Sequence, residues 1–496
     1  MTPTLEYFLL PVSPVLTLLG SGSLLVLLEV IFGFKGRALK YIVALAGTLI
    51  SLGFAMWLWK NLPPSSTPLG YYGNVSWLVE FAQSYSLTPL SLALYVGIGV
   101  LTALSLVFLN DAFSDSELRS EVFILVTFVA SGMMLLVSAN SLLMVFLALE
   151  LLSLPTYVLV GIHRKDRASC EAALKYFLFG SFASVLLVFG IALLYAQFGT
   201  LRLTQIAEIL RGYGPGLPVS KTLILAGMSL ILIASAFKIG IVPFHMWLPD
   251  VYQGAPTAIT GFMGSAIKLA GFGLATRLLW EMFLPITQEW TAILGTLAVI
   301  TMFVGNIAAL TQDNLKRMFA YSSISHAGYL LLGVAAVGKG GPVPAALFYY
   351  LMVYGLMFVG LFAILAIVER ATGNTEIYSL SGFGFSHPVL GLCLALFAIS
   401  GAGIPPTAGF LGKYFIFLEA VRAGRTWWVV FAVISSVIGA YYYLRVVVYL
   451  YMKDSKEKLV LPAMGKVALV CVVACAVSLL YFAVMPTTLG LESLYR

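Results

Sequence analysis

Ser235–Thr257 reads SAFKIGIVPFHMWLPDVYQGAPT. Lys238 stands inside a long apolar run, and Pro243, His245, Pro249 and Asp250 follow it closely. A helix crossing lipid avoids a bare amine, whose charge is expensive there, and avoids proline, which removes a backbone hydrogen bond. A segment carrying both reads as an interrupted membrane helix. The break frees carbonyls and helix ends, which hold water and tolerate an ion. Lys238 needs a polar niche, and the break at Pro243 supplies one and gives the span a hinge.

The rest of the chain fits that reading. Of 496 residues, 60% are hydrophobic and 10% are charged, against about 25% charged in soluble domains. Apolar blocks of roughly 20 residues recur, the length that crosses a bilayer core as helix. Open strands do not cross, because backbone groups in lipid must be satisfied internally. The predicted fold class is an all-α polytopic membrane protein with about 14 transmembrane helices. The seventh span is expected to break at Pro243 and Pro249, and the twelfth at Pro405-Pro406. Leu203–Leu210 reads as a short amphipathic piece lying on the surface. The net charge of +7 does not indicate nucleic acid, because the basic residues sit in short loops, as in an oriented membrane protein. Lys35, Arg37, Lys40, Arg164, Lys165, Arg167, Lys316, Arg317, Lys453, Lys456 and Lys458 form the richer set. Lys60, Arg202, Arg211, Lys339, Arg422 and Arg425 form the poorer one. The richer set is expected in the cytoplasm and both termini outside. Cys170, Cys393, Cys471 and Cys475 lie in no metal motif.

Spans four to eight and nine to thirteen form two sets of five, each with its broken helix fourth. Each break lies near an intramembrane lysine and a Pro-Thr-Ala step, at Pro256-Thr257-Ala258 and Pro406-Thr407-Ala408. Five is odd, so the second set is inverted. The expected organisation is three helices in 1–118, a first repeat in 119–282, a second in 283–453, and a final helix in 454–496.

Ionisable residues inside spans cost about 2.5–3.5 kcal/mol each on insertion scales. Glu150, Lys175, Lys238, Lys268 and Lys413 are such residues, with His326 as a polar companion. They are expected to face a wet interior and act together. For Lys175, snorkelling to the headgroups is the competing reading. His245 either caps near the surface or joins the relay, and His326 is either a packing histidine or a relay group. Burial disfavours a charged amine and a nearby carboxylate favours it. A Glu–Lys pair whose separation changes is therefore a proton switch, and lysines in series with water between them form a relay. There is no dinucleotide fingerprint, P-loop or cysteine cluster, so no cofactor is expected in this chain. The energy then comes from an ion gradient or from partner subunits.

Five stretches carry a resemblance: ALELLSLPTYVLVG (148–161), KYFLFGSFAS (175–184), FKIGIVPFHMWLPDVYQGAPT (237–257), KRMFAYSSISHAGY (316–329) and GIPPTAGFLGKYFIF (403–417). With them the chain resembles the antiporter-like subunits of bacterial respiratory complex I, over about spans three to thirteen. Lys413 resembles the N-type chains, because M-type chains carry glutamate there. L-type chains continue into a long lateral helix, whereas this sequence stops soon after span fourteen. The D-type subunit of multisubunit cation/proton antiporters shares the Gly-Phe-x-Gly-Lys pattern and is the alternative. The resemblance implies that Glu150 tunes Lys238, that Lys268 is the central lysine of a hydrophilic axis, and that Lys413 exchanges protons with one side. It implies a role for Lys175 beyond snorkelling. It also implies two inverted five-helix bundles, and neighbouring membrane-arm and peripheral-arm subunits holding FMN and iron–sulfur clusters. NADH and quinone would be handled by those partners. The implied place is the bacterial inner membrane.

Overall fold

The computed structural model describes residues 5–33, 37–61, 84–113, 119–212, 220–338, 344–454, 461–462 and 464–489. The predicted spans are all helical. They are α1 (Leu5–Phe32), α2 (Arg37–Asn61), α3 (Pro89–Ala112), α4 (Arg119–Ser138), α5 (Leu142–Val160) and α6 (Arg167–Phe198). The short α7 (Leu203–Arg211) follows, then the two halves of span seven, α8 (Lys221–Ile239) and α9 (Trp247–Gly254). Span eight is α10 (Thr257–Met282), which includes π-helical turns at Met263–Ile267 and Arg277–Met282. Next come α11 (Thr287–Leu310), α12 (Leu315–Ala335) and α13 (Pro344–Thr372). The halves of span twelve are α14 (Pro388–Ala402) and α15 (Ala408–Arg422), before α16 (Thr426–Met452) and α17 (Lys466–Val484). Twelve of these helices are long and apolar enough to cross a membrane. α12 is not among them, because it carries Lys316, Arg317, three serines and His326.

Loops on one side tie to one another. Arg317 pairs with Asp250, Lys316 with Glu369 and Arg370 with Asp111, while Gly465 N–H donates to Asp111. On the other side Arg277 donates to Ala139 O, and Lys221 pairs with Glu289. The helices therefore alternate in direction, as a polytopic chain requires. Within the two five-helix sets the packing order repeats. α4 packs on α5 as α11 packs on α12; α6 packs on both halves of span seven as α13 packs on both halves of span twelve; α10 closes on α4 and α8 as α16 closes on α11 and α14. Because each set has five spans, the second is inverted relative to the first. α10 and α13 are buried along their apolar length and form the centre, whereas α1, α6 and α17 leave most of theirs exposed.

The two breaks share one construction. α8 ends at Gly240 (φ 78°, ψ 41°) and α14 at Gly403 (φ 78°, ψ 44°), left-handed caps that favour glycine. A proline in a cis peptide stands three residues beyond each, at Pro243 and Pro406. The corresponding stretches are thus Gly240–Pro243 and Gly403–Pro406. The Pro-Thr-Ala steps do not correspond: Pro256 precedes α10, whereas Pro406 lies in the bend before α15.

Several expectations change. Pro249 breaks nothing, because it lies in the first turn of α9, where a missing N–H costs little. α7 buries Leu203, Ile206 and Leu210 and packs on the end of α10 rather than lying free on the surface. Arg277 is buried and holds Ala139 O and Glu281. Lys40 and Lys316, counted as loop charges, are buried in ion pairs with Glu29 and Glu369. Lys35, Lys339, Lys456, Lys458 and most of 61–86 lie outside the described residues.

Candidate functional site

Lys238 is the penultimate residue of α8 and is 7% exposed. Its Nζ donates to Ser153 Oγ at 2.9 Å and to Tyr176 Oη at 3.1 Å. Around it, Tyr176 stacks on Trp247 (4.5 Å, 9°) and meets Tyr157 edge-on at 4.6 Å. Glu150 lies one turn before Ser153 on α5, so both share a face. Its carboxylate accepts from Ser184 Oγ at 2.6 Å and forms no ion pair with Lys238 among the described residues. Ser153, one turn further on, carries the hydroxyl that meets the amine.

Lys268 follows the first π-helical turn of α10 and is buried. Its Nζ donates to the carbonyl of Ser323 and, at 2.5 Å, to Ser323 Oγ. One turn further along α10, Gly271 leaves room for the neighbouring helix. A Cβ there would stand 2.6 Å from Ile239 Cγ2 and 4.0 Å from Lys238 Cγ. The Lys238 side chain thus lies against the helix that bears Lys268.

His326 lies one turn beyond Ser323 on α12, fully buried between the hydroxyls of Tyr350 (Nδ1, 2.7 Å) and Tyr443 (Nε2, 3.0 Å). Its ring lies 4.9 Å from that of Tyr354 and 5.8 Å from that of Tyr329. Lys413, in α15, is buried and donates to Ala402 O (2.9 Å), Gly401 O (3.2 Å) and Ser436 Oγ (3.0 Å). The first two acceptors are carbonyls freed by the break in span twelve, which is why the amine settles there. Each lysine also stands over a tyrosine ring: Lys238 over Tyr176 (5.5 Å), Lys268 over Tyr354 (5.1 Å), Lys413 over Tyr329 (5.0 Å). A ring face attracts the cation without taking its proton.

The structure thus brings Glu150, Lys238, Lys268, His326 and Lys413 into one interior line. It does not bring Lys175 or His245 there. Lys175 is 38% exposed and paired at 2.8 Å with both Glu171 and Asp250. His245 sits half-buried in the bend, with Nδ1 lacking a partner. Sequence reasoning missed Tyr176 and Ser184, beside and after Lys175. The small-residue stripe of α6 carries the signal: Ser169, Ala172, Tyr176, Gly180, Ala183 and Leu187 mark its inner face, which turns Lys175 about 100° away.

Residues 139–439 match the family described as NADH:quinone oxidoreductase/Mrp antiporter, transmembrane. The NADH-quinone oxidoreductase subunit N 1 of Thermodesulfovibrio yellowstonii is 40% identical over 474 residues, 95% of this chain and 96% of the relative. The chain belongs to the family of NADH-quinone oxidoreductase N subunits. Subunit N 1 of Chloroherpeton thalassium is 39% identical over 98% of this chain and 97% of its own length. Among solved structures, a chain of respiratory complex I from Thermus thermophilus with bound aureothin matches at TM-score 0.78 and 31% identity, covering 95% of this chain and 97% of that one. A chain of the Mrp complex from Dietzia sp. matches at TM-score 0.82 and 21% identity, covering 99% and 97% respectively; that likeness concerns the fold alone. In this chain Lys238, Lys268 and Lys413 are held by neutral oxygens, with no carboxylate partner among the described residues.

Proposed function

We propose that the chain is a proton-translocating subunit of the membrane arm of an NADH:quinone oxidoreductase, complex I. The observation that carries this is the set of three buried lysines, Lys238, Lys268 and Lys413, each donating to hydroxyls or carbonyls, with the buried His326 held between the hydroxyls of Tyr350 and Tyr443. A buried amine facing neutral acceptors is costly to keep charged, so a small change in its surroundings moves its proton. Glu150 is the adjustable partner of Lys238. A shift of the carboxylate past Ser153 pairs with the amine and loads it, and retreat unloads it. Lys238 passes its proton toward Lys268, whose Ser323 contact leads through His326 to Lys413. Lys413 exchanges it with the side reached through the second bend. Lys175 and His245 stand outside this line, Lys175 as part of the ion-pair network with Asp250.

Electron transfer from NADH to quinone takes place in partner subunits, which carry FMN and the iron–sulfur clusters. Other membrane-arm and peripheral-arm subunits are the neighbours. The chain sits in the bacterial inner membrane with both termini outside. The repeats run 119–282 and 283–453, between the first three helices (1–118) and the last segment (454–496). The test is proton uptake by membrane vesicles driven by NADH, for wild type and Lys238→Ala. A normal ratio of protons to electrons in an assembled variant overturns the relay. Uptake that needs sodium, with no NADH-linked redox partner, would move the chain to the cation/proton antiporter reading.

A further inference from the structure

A polar cavity of about 440 Å³ opens beside the first turns of α10, lined by Thr257, Lys316 and Glu369 together with His163, Asp166, Arg370 and Glu376. Lys316 is 5% exposed, and its Nζ donates to Glu369 at 3.2 Å and to Ala255 O at 2.9 Å. Thr257 donates its hydroxyl to the same carboxylate. Glu369 thus joins the start of α10 to the start of α12.

The same two helices are joined again deeper in the protein. Lys268 lies eleven residues after Thr257, just past the π-helical turn of α10, and Ser323 lies seven after Lys316. At this deeper end Lys268 donates to Ser323. Along α10 between the two junctions stand the buried hydroxyls of Thr260 and Ser265, and the Lys268 amine stands over the Tyr354 ring at 5.1 Å. Thr260, one turn into α10, donates to Tyr252 O. Hydroxyls therefore lie between a wet, charged mouth and the central lysine, on a route that does not pass Lys238.

We propose that Glu369, held by Lys316 and Thr257, is a proton-accepting gate through which Lys268 exchanges protons with the solvent on the Lys316 side. This rests on the relay reading above. In the step, the Glu369 carboxylate takes one proton from a cavity water and becomes neutral, which loosens its pair with Lys316. The acid then gives that proton to the first hydroxyl or water of the route. Each member accepts one proton and releases one, and the last delivers it to the neutral amine of Lys268. Glu369 ends as a carboxylate paired again with Lys316, and Lys268 ends as an ammonium.

The experiment uses the intact complex in inner-membrane vesicles. Protons taken up per electron are measured for wild type, Glu369→Gln, Glu369→Asp and Lys268→Ala, alongside NADH oxidation by an artificial electron acceptor. The expected result is a loss of on the order of a hundredfold in Glu369→Gln, recovery of most pumping in Glu369→Asp, and unchanged oxidation by the artificial acceptor in both. A wild-type ratio in Glu369→Gln, with Lys268→Ala inactive, overturns the gate alone. A wild-type ratio in Lys268→Ala overturns the relay itself. If Glu369→Gln fails to assemble, Ala258→Cys, which lines the cavity, is treated with a charged methanethiosulfonate in a Cys170→Ser background. Labelling from the Lys316 side that blocks pumping supports the gate; absent labelling, or labelling without effect on pumping, overturns it.

Discussion

Lys238, Lys268 and Lys413 each set an amine against neutral oxygens and a tyrosine ring, so a proton on any of them is the part of the site that can leave. Arginine would keep the positive charge but not release the proton, because its guanidinium stays protonated in proteins. Lys238→Arg and Lys413→Arg are therefore expected to assemble and yet lose pumping by on the order of a hundredfold, measured as NADH-driven proton uptake. A role in packing or charge alone predicts retention. Lys175→Arg, in a pair already partly open to solvent, is expected to pump as wild type. The difference between these residues was only partly legible in the sequence. An amine inside an apolar block stands out because lipid makes charge rare, so the three buried lysines and Glu150 were found. Lys175 sits in the same kind of block, and its exposure depends on which way α6 faces, which one residue's neighbours do not reveal. Tyr176, Ser153 and Ser323 went unmarked because a single hydroxyl in a helix is unremarked until another helix brings an amine to it.

The bends turn on glycine as much as on proline. At Gly403 a Cβ would stand 2.9 Å from Lys413 Cδ and 3.0 Å from its Nζ, and the positive φ adds strain of about 1–2 kcal/mol. Gly403→Ala is expected to lower the melting temperature of the purified complex and to lower pumping further than assembly. Gly240→Ala meets Leu248 Cδ1 at 2.6 Å and is expected to disturb span seven in the same way. Thermal melts and proton-uptake ratios for the two variants check this. The prolines were visible in the sequence and gave the places of both breaks. Pro249 misled because a proline ends a helix only where its N–H would have been used. The Pro-Thr-Ala match misled because three residues recur by chance more readily than a Gly-Ile-x-Pro bend with the same backbone at both ends.

Across the whole molecule the count of spans was legible, since crossing a bilayer fixes element length and hydropathy before any packing. Which helices form the middle was not. α10 and α13 are enclosed throughout while α6 presents Leu174, Leu178, Phe182 and Val185 outward, and all three read alike as apolar blocks. Isolating the tagged chain from its native membranes in mild detergent is expected to bring down a large flavin-containing, iron–sulfur-containing assembly with NADH:quinone activity. Reporters fused to each end are expected to report the outer side. The polarity of α12 bears on how the protein is made. A segment carrying Lys316, Arg317, three serines and His326 partitions less readily into lipid by itself than its apolar neighbours do. Ser322, Ser323 and His326 find their side-chain partners on α16, α10 and α13, in Tyr443, Lys268 and Tyr350. The ribosome delivers α11 first, and α11 packs along α12. Insertion of α12 is therefore expected to depend on its packing against α11 and to be complete only when its later neighbours have been made.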